Sequence, residues 1–333
     1  MAKYLLPLLR ELADGAFHSG DELGRSLGVS RASIWKLSKK VSALGLELHS
    51  VRGKGYRLDQ RLDLLDRKVL LGGLSASQRE KISELELKLT VDSTNTYALR
   101  RAQKGELDLA NGRAFVCLAE QQTAGKGRRG REWLSPFGSN VCLTMVREFE
   151  LGAAGLEGLS LVVGLALVRA LRQIGALDLG VKWPNDVLWK NKKLAGILLE
   201  MTGDVSGVCQ VVIGIGLNVR VDPLGMDGVN QPWTDLSNIC PSLPSRSHLV
   251  VRVLGELMGV LTEFEECGFA GFMDEWNERD ALKGLPVDLI SSSGSIRGVA
   301  SGVNSSGALL LATSDGLQSF YGGEVSLRKA NIA

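Results

Sequence analysis

The sequence predicts a three-part α+β chain: a small helical module closed by a hairpin, a mixed α/β body, and a small all-β module at the end. Three observations predict it. Residues 1–60 repeat leucine at helical spacing and carry helix caps. The middle alternates apolar helices with Val/Ile/Leu-rich segments separated by turn residues. From about 283 the pattern shifts to short strands with Gly/Ser/Asn/Asp turns. The boundaries expected are 1–62, 63–282 (with 63–84 as a charged linker containing some helix) and 283–333. At 333 residues the chain exceeds what one core usually serves.

In the first module, Leu5, Leu8, Leu9 and Leu12 form one helical face. Ser19 with Glu22 three residues on is a capping box opening a second helix that buries Leu23 and Leu27. Gly28-Val29 makes a tight turn, and Ser30 caps a third helix carrying Ile34, Leu37, Val41 and Leu44, which Gly45 ends. Two short strands follow over 47–58, joined by the basic glycine turn Arg52-Gly53-Lys54-Gly55. Ser30, Arg31, Ser33, Lys36 and Lys39 point away from the apolar stripe toward a DNA major groove, and Arg52, Lys54 and Arg57 supply a wing. The alternative is a solvated charged helix face. The residue totals favour DNA: 1–60 hold ten Lys/Arg against six Asp/Glu, whereas the whole chain is only +2. Trp35 fits either core or groove.

In the body, strands are expected at Phe115–Glu120, Asn140–Val146, Lys193–Met201 and Cys209–Val219, and helices at 155–175 and 247–266. Turns at Lys190-Asn191 and at 202–204 imply antiparallel pairing without βαβ units. The five scattered cysteines lack metal or redox spacing, which places them as reduced thiols of a cytoplasmic protein, and three histidines make no metal centre. The apolar run Leu159–Val168 is half a membrane span and passes into Arg169 and Arg172, so a membrane partner is not expected.

The most distinctive stretch is Gly125-Lys126-Gly127-Arg128-Arg129-Gly130-Arg131, four cations and three glycines in seven residues. Glycines let backbone approach an anion while guanidinium forks grip its oxygens. It is not a Walker loop. Its readings are a mobile, solvated lid that a phosphate-bearing ligand orders, an RNA-binding run, or a solvated cluster. Its passage through Trp133 into a strand favours the lid. Lys182-Trp183-Pro184-Asn185-Asp186 sets a cation, an indole and a carboxylate around a proline-stiffened turn, and a lysine of Lys192-Lys193 at the mouth of a buried strand can neutralise a carboxylate and a phosphate that approach each other, though such a pair more commonly guards a strand edge. Gly214-Ile215-Gly216-Leu217-Asn218 lacks the third glycine of a dinucleotide fingerprint. It instead suits close approach of an adenine or ribose.

Taken together, these motifs resemble the bifunctional biotin protein ligases that also repress biotin-synthesis operons. The resemblance is carried by Phe17–Gly20, Gly53–Tyr56, Asp92–Asn95, the cationic loop with Ser135–Gly138, Lys182–Asp186, Lys193–Gly196 and Gly322–Leu327, and it covers nearly the whole chain. It implies a winged helix-turn-helix, a central domain like class II synthetases and lipoate ligases, and an SH3-like β-barrel. It implies that Ser93, Thr94, Asn95 and Gln122 bind biotin together with Lys126, Gly127, Arg128 and Lys193. It gives Lys193 and Arg128 the catalytic roles, and Arg128, Arg131, Trp133, Lys182, Asp186 and Asn218 the ATP or adenylate. Lys126 stands where many members have arginine, which keeps charge but loses the bidentate fork. The resemblance further implies ATP and Mg²⁺, transfer of biotin to a lysine of the biotin carboxyl carrier protein of acetyl-CoA carboxylase, operator DNA as a partner, and a homodimer when adenylate is bound. A metabolite-sensing transcription factor without ligase activity and a lipoate-type ligase are the competing functions.

Overall fold

The computed structural model describes residues 2–203, 207–291, 294–322 and 325–330. Asp204 of the expected turn and Gly323 and Glu324 of the C-terminal motif lie outside the described residues.

The first module forms as its caps dictate. Helix α1 (Leu5–Leu12) buries Leu8, Leu9 and Leu12. Helix α2 (Gly20–Leu27) opens on the Ser19/Glu22 capping box and ends on Gly28, whose φ of 65° is left-handed. Helix α3 (Arg31–Ser42) is capped by Ser30 and buries Ile34, Leu37 and Val41. Strands β1 (Leu48–Val51) and β2 (Gly55–Leu58) pair antiparallel as the wing. Their shared core also takes in Phe137 from the body, with Leu62, Leu64 and Leu89 packed beside it.

The stretch expected as a linker folds into helices α4 (Arg67–Gly73) and α5 (Ala76–Glu80). Leu65, Leu70 and Leu74 belong to the main core. A buried node pins its entry. Arg246 donates to the Asp63 carbonyl and to the Asn140 carbonyl at 2.8 Å each and pairs with Glu120, which also accepts the Leu65 N–H at 2.7 Å.

Strand β3 (Ile82–Val91), helix α6 (Thr94–Gln103) and strand β4 (Ala114–Gln122) come next. Because β3 and β4 are parallel, this segment is a βαβ unit, contrary to the expectation of purely antiparallel pairing. A register shift between Ile82 and Glu84 breaks the alternation of β3, so its period was hard to read. The four expected strands and two helices are present as β4, β5 (Asn140–Phe149), α7 (Leu159–Arg172), β8 (Lys192–Gly203), β9 (Cys209–Asn218) and α8 (Arg246–Cys267), with two further strands, β6 (Leu179–Lys182) and β7 (Asp186–Trp189), between α7 and β8. They make a seven-stranded sheet in the order β3-β4-β5-β9-β8-β7-β6. Lys190 and Asn191, both at positive φ, turn β7 into β8.

The two faces of the sheet are covered differently. Leu143, Met145, Ile213 and Ile215 face α7 and α8 in the main core. The helical stretch Ala154–Arg172 is long and apolar enough to cross a membrane, but eleven of the fourteen residues of α7 within it are buried here. The opposite face packs Val146 and Val212 against Ala98 and Ala102 of α6. Along that face β9 continues Val212, Gly214, Gly216, Asn218, so apolar bulk ends where α6 ends and a glycine floor begins.

After α9 (Met273–Glu278), strands β10 (Pro286–Ser291), β11 (Gly294–Val303), β12 (Leu309–Thr313), β13 (Gly316–Phe320) and β14 (Ser326–Lys329) form an antiparallel sheet ordered β13-β12-β11-β10-β14. Its Val287, Leu289, Leu309 and Leu311 join the main core. The Trp183 indole N–H donates to the Gly307 carbonyl at 3.1 Å, which ties the turn after β6 to this module.

Candidate active site

The cleft opens over the glycine floor, between the N-terminus of α6 and the cationic loop. Ser93, the N-cap of α6, accepts the Thr96 N–H, which sets Thr94 and Asn95 on the first helical turn facing the sheet. The Thr94 N–H donates to Gln122 Oε1 at 2.8 Å, and Gln122 Nε2 donates to Ser135 Oγ at 3.2 Å. Gln122, at the end of β4, is thereby held across the cleft wall by two separate elements.

The cationic loop, expected to stay mobile until a phosphate orders it, is folded. Its backbone closes on itself: the Gly127 N–H donates to the Arg131 carbonyl at 2.7 Å and the Trp133 N–H to the Gly125 carbonyl at 2.9 Å. Arg128 reaches Asn185 Oδ1 at 3.3 Å, and Arg131 reaches Ser326 Oγ on β14 at 3.4 Å. Backbone pairing within the loop and these two side-chain contacts hold it against the body.

Trp133 lies flat on the floor. A Cβ built on Gly216 would stand 2.4 Å from the indole, and one on Gly214 would stand 2.1 Å from Asn95 Oδ1. The close approach that Gly214-Ile215-Gly216 was read as giving to a nucleotide is thus taken by protein side chains. The indole Nε1 has no hydrogen-bond partner.

Lys193, at the start of β8, stands beside Trp133, its Nζ 5.6 Å from the ring centroid and 2.6 Å from Asp186 Oδ1. Its neighbour Lys192 is exposed, so the pair divides into one solvated amine and one half-buried amine that lines the cleft. Lys182 Nζ is 4.0 Å from the same carboxylate. Burial holds Lys182 below the usual lysine range. Asp186 opposes that shift, and Lys193, Arg131 and Arg328 add to it.

Of the residues singled out in the sequence, Ser93, Thr94, Asn95, Gln122, Lys126, Gly127, Arg128, Trp133 and Lys193 line one cleft together. Asp186 and Lys182 stand behind Lys193. Asn218 is buried beside the Trp133 end of the floor, its Nδ2 donating to the Thr234 carbonyl at 3.0 Å while its Oδ1 has no partner. Asn140, its cross-strand neighbour, also has an unpartnered Oδ1. Arg131 points to the C-terminal module. In the sequence Asn185 and Ser135 stand inside motifs with no role of their own, and Thr144 stands outside every motif. Their signal is a polar residue at an otherwise apolar strand position or turn, which becomes legible only with the register.

On the first module, Arg31, Lys36, Lys39, Arg52 and Lys54 are all exposed, whereas the hydroxyls of Ser30 and Ser33 bond each other at 3.0 Å across the helix cap. Trp35 is 51% exposed with Lys39 Nζ 3.9 Å over its ring, which settles it outside the core.

Comparison with known proteins gives three matches to family models. Residues 5–57 match an HTH domain, 87–218 the biotin/lipoate A/B protein ligase family, and 284–328 the biotin protein ligase C terminal domain. The bifunctional ligase/repressor BirA of Escherichia coli is 40% identical over 325 residues, spanning 98% of this chain and 97% of that one. The chain belongs to the bifunctional biotin ligase/repressor family. BirA of Bacillus subtilis is 29% identical over 336 residues, with 98% of each chain covered. The biotin protein ligase of Aquifex aeolicus in complex with biotin and ATP superposes with a TM-score of 0.62 at 28% identity, covering 75% of this chain and all of that one. As a biotin ligase with an N-terminal helix-turn-helix, the chain has to accommodate both biotin and ATP.

Proposed function

We propose that the cleft activates biotin to biotinyl-5′-AMP and passes the biotinyl group to a lysine of the biotin carboxyl carrier protein. The observation that carries this reading is that Lys193, Arg128 and Trp133 line the same cleft as Ser93, Thr94 and Asn95. Biotin's carboxylate attacks the α-phosphorus of ATP and pyrophosphate leaves, so two anions must be brought together. Catalysis of such a step is mainly positioning and charge neutralisation. Lys193 neutralises the reacting carboxylate and phosphate, and Arg128, anchored on Asn185, closes over them. Lys126 and Gly127 bring the loop backbone onto the ligand. Ser93, Thr94, Asn95 and Gln122 hold the ureido end.

Trp133 offers a flat face to adenine, and the unpartnered Asn218 Oδ1 is a buried acceptor that suits an exocyclic amine. Lys182 and Arg131 add positive charge on the phosphate side. Mg²⁺, when bound, screens the phosphates. Asp186 is engaged by Lys193 at 2.6 Å, so the metal fits as a companion of ATP and not as the resident of a protein cage. The mixed anhydride product is labile in water, and the folded loop excludes water until a carrier lysine arrives.

The exposed cations of α3 and the wing bind operator DNA of biotin-synthesis genes. Adenylate occupancy promotes a homodimer whose two winged helices meet two half-sites. The protein acts in the cytoplasm, where its cysteines stay reduced. Incubation with ATP, Mg²⁺, a purified carrier domain, and either biotin or lipoate tests the reading: biotin labels the carrier and lipoate does not. Absence of any acyl-nucleotide would leave a metabolite-responsive regulator. Sedimentation with and without biotin and ATP tests the dimer, and association that ignores both ligands would contradict it.

A further inference from the structure

The wing carries a cluster of side chains that neither the cleft nor the DNA contacts use. Strands β1 and β2 pair with Leu48 opposite Leu58 and His49 opposite Arg57, and just beyond them the Asp59 N–H donates to the Glu47 carbonyl at 3.0 Å. Side chains two apart on a strand share a face, and so do residues directly opposed across the ladder. Glu47, His49 and Asp59 therefore meet on one face, at the base of the hairpin whose tip carries Arg52 and Lys54. His49 Nε2 lies 3.0 Å from Asp59 Oδ1 and 3.9 Å from Glu47 Oε1, and one ligand atom from each residue lies within 4.8 Å of the other two. Only scattered histidines were visible in the sequence. The ladder supplies the carboxylates that a single imidazole needs.

These separations are close to those a metal ion imposes. Zinc sits about 2.0–2.2 Å from imidazole nitrogen and carboxylate oxygen, so tetrahedral ligand atoms stand about 3.4 Å apart. The two distances from His49 bracket that value, and small side-chain rotations bring both to it while the backbone stays in place. Glu47 and Asp59 are exposed and His49 is half-buried, so an ion reaches all three from solvent without opening the fold. The contact it displaces is a surface imidazole–carboxylate pair, and such pairs stabilise little. The donor set also selects the ion. An imidazole nitrogen beside two carboxylates suits zinc and its neighbours, whereas magnesium and calcium take oxygen ligands. His18, by comparison, is bonded to the single carboxylate of Asp14.

The geometry points to a metal site at the base of the wing, where Glu47, His49 and Asp59 bind one divalent ion of the zinc class and tie β1 to the residue that follows β2. The site is separate from the cleft and does not depend on the biotin reading. Calorimetric titration of Zn²⁺ into the untagged full chain without ATP tests it, in a Cys267→Ser background that removes the exposed thiol. One equivalent binds. His49→Gln and Asp59→Asn each weaken binding by more than roughly tenfold, the least that loss of even an outer-shell partner costs. His18→Gln leaves binding unchanged. Bound Zn²⁺ slows hydrogen exchange of the 48–51 and 55–58 amides in the parent protein and not in His49→Gln, a readout that zinc held elsewhere would not move. Excess Mg²⁺ leaves the zinc isotherm in place. Zinc binding that survives both His49→Gln and Asp59→Asn, displacement of zinc by Mg²⁺, or no zinc binding at all overturns the inference.

Discussion

Replacing Lys193 with methionine removes a cation while keeping most of the side chain's length. In the structure its ammonium lies 2.6 Å from Asp186, whose other amine, Lys182, is 4.0 Å away and shifted below the usual lysine range by burial. The variant therefore loses the charge that meets the reacting anions and also leaves the Asp186 carboxylate to repel them. One unit charge about 4 Å from its partner is worth about 4 kcal/mol at an effective dielectric of about 20. At 1.36 kcal/mol per decade that is a rate loss of about 10³ in adenylate formation. Single-turnover pyrophosphate release with saturating biotin and ATP measures it directly. Asp186→Asn in the Lys193→Met background should recover part of the loss, because the uncompensated carboxylate is gone. A Lys193→Met protein that releases pyrophosphate within tenfold of wild type would refute the charge-neutralisation argument.

Arg128→Gly keeps adenylation but lets the intermediate escape, since the loop loses its anchor on Asn185. Rapid filtration should find free biotinyl-adenylate in solution, and retention equal to wild type would count against the lid. Gly216→Ala places a methyl 2.4 Å from the Trp133 indole, so the ring must leave the floor, and ATP affinity should fall while biotin affinity changes less. Arg246→Met strips the buried node and leaves Glu120 unpaired, which should cost about 3–5 kcal/mol in denaturant unfolding followed by a body-specific probe. Lys182, held low by burial, should lose its proton on the alkaline side below the ordinary lysine range, so nucleotide affinity drops with rising pH there and Lys182→Met abolishes that drop. Stability runs the other way: the unfolded chain keeps the proton through that window, so this group's contribution to folded stability rises with pH. Opposite slopes in binding and unfolding titrations check both signs.

Much of this chain was written locally. Caps such as Ser19/Glu22 and Ser30, the leucine period of α1 to α3 and the glycine wing turn are satisfied within a few residues, so sequence alone determined the winged module. The strands of the body and the motifs at 93–95, 125–131 and 182–193 were legible for the same reason, since each is a contiguous run of one chemistry. What only the tertiary structure decided depends on register and on partners far along the chain. Strand β3 hid behind a bulge, and the supposed linker found its core on α8 through Leu70. The glycines of β9 looked like a nucleotide cradle until Trp133 and Asn95 were seen lying on them. The pairing of Lys193 with Asp186 and the contacts of Thr144 with Thr94 and Asn95 join residues on different elements. A side chain's partner across a sheet is fixed by strand order and pleat, and no local pattern encodes either.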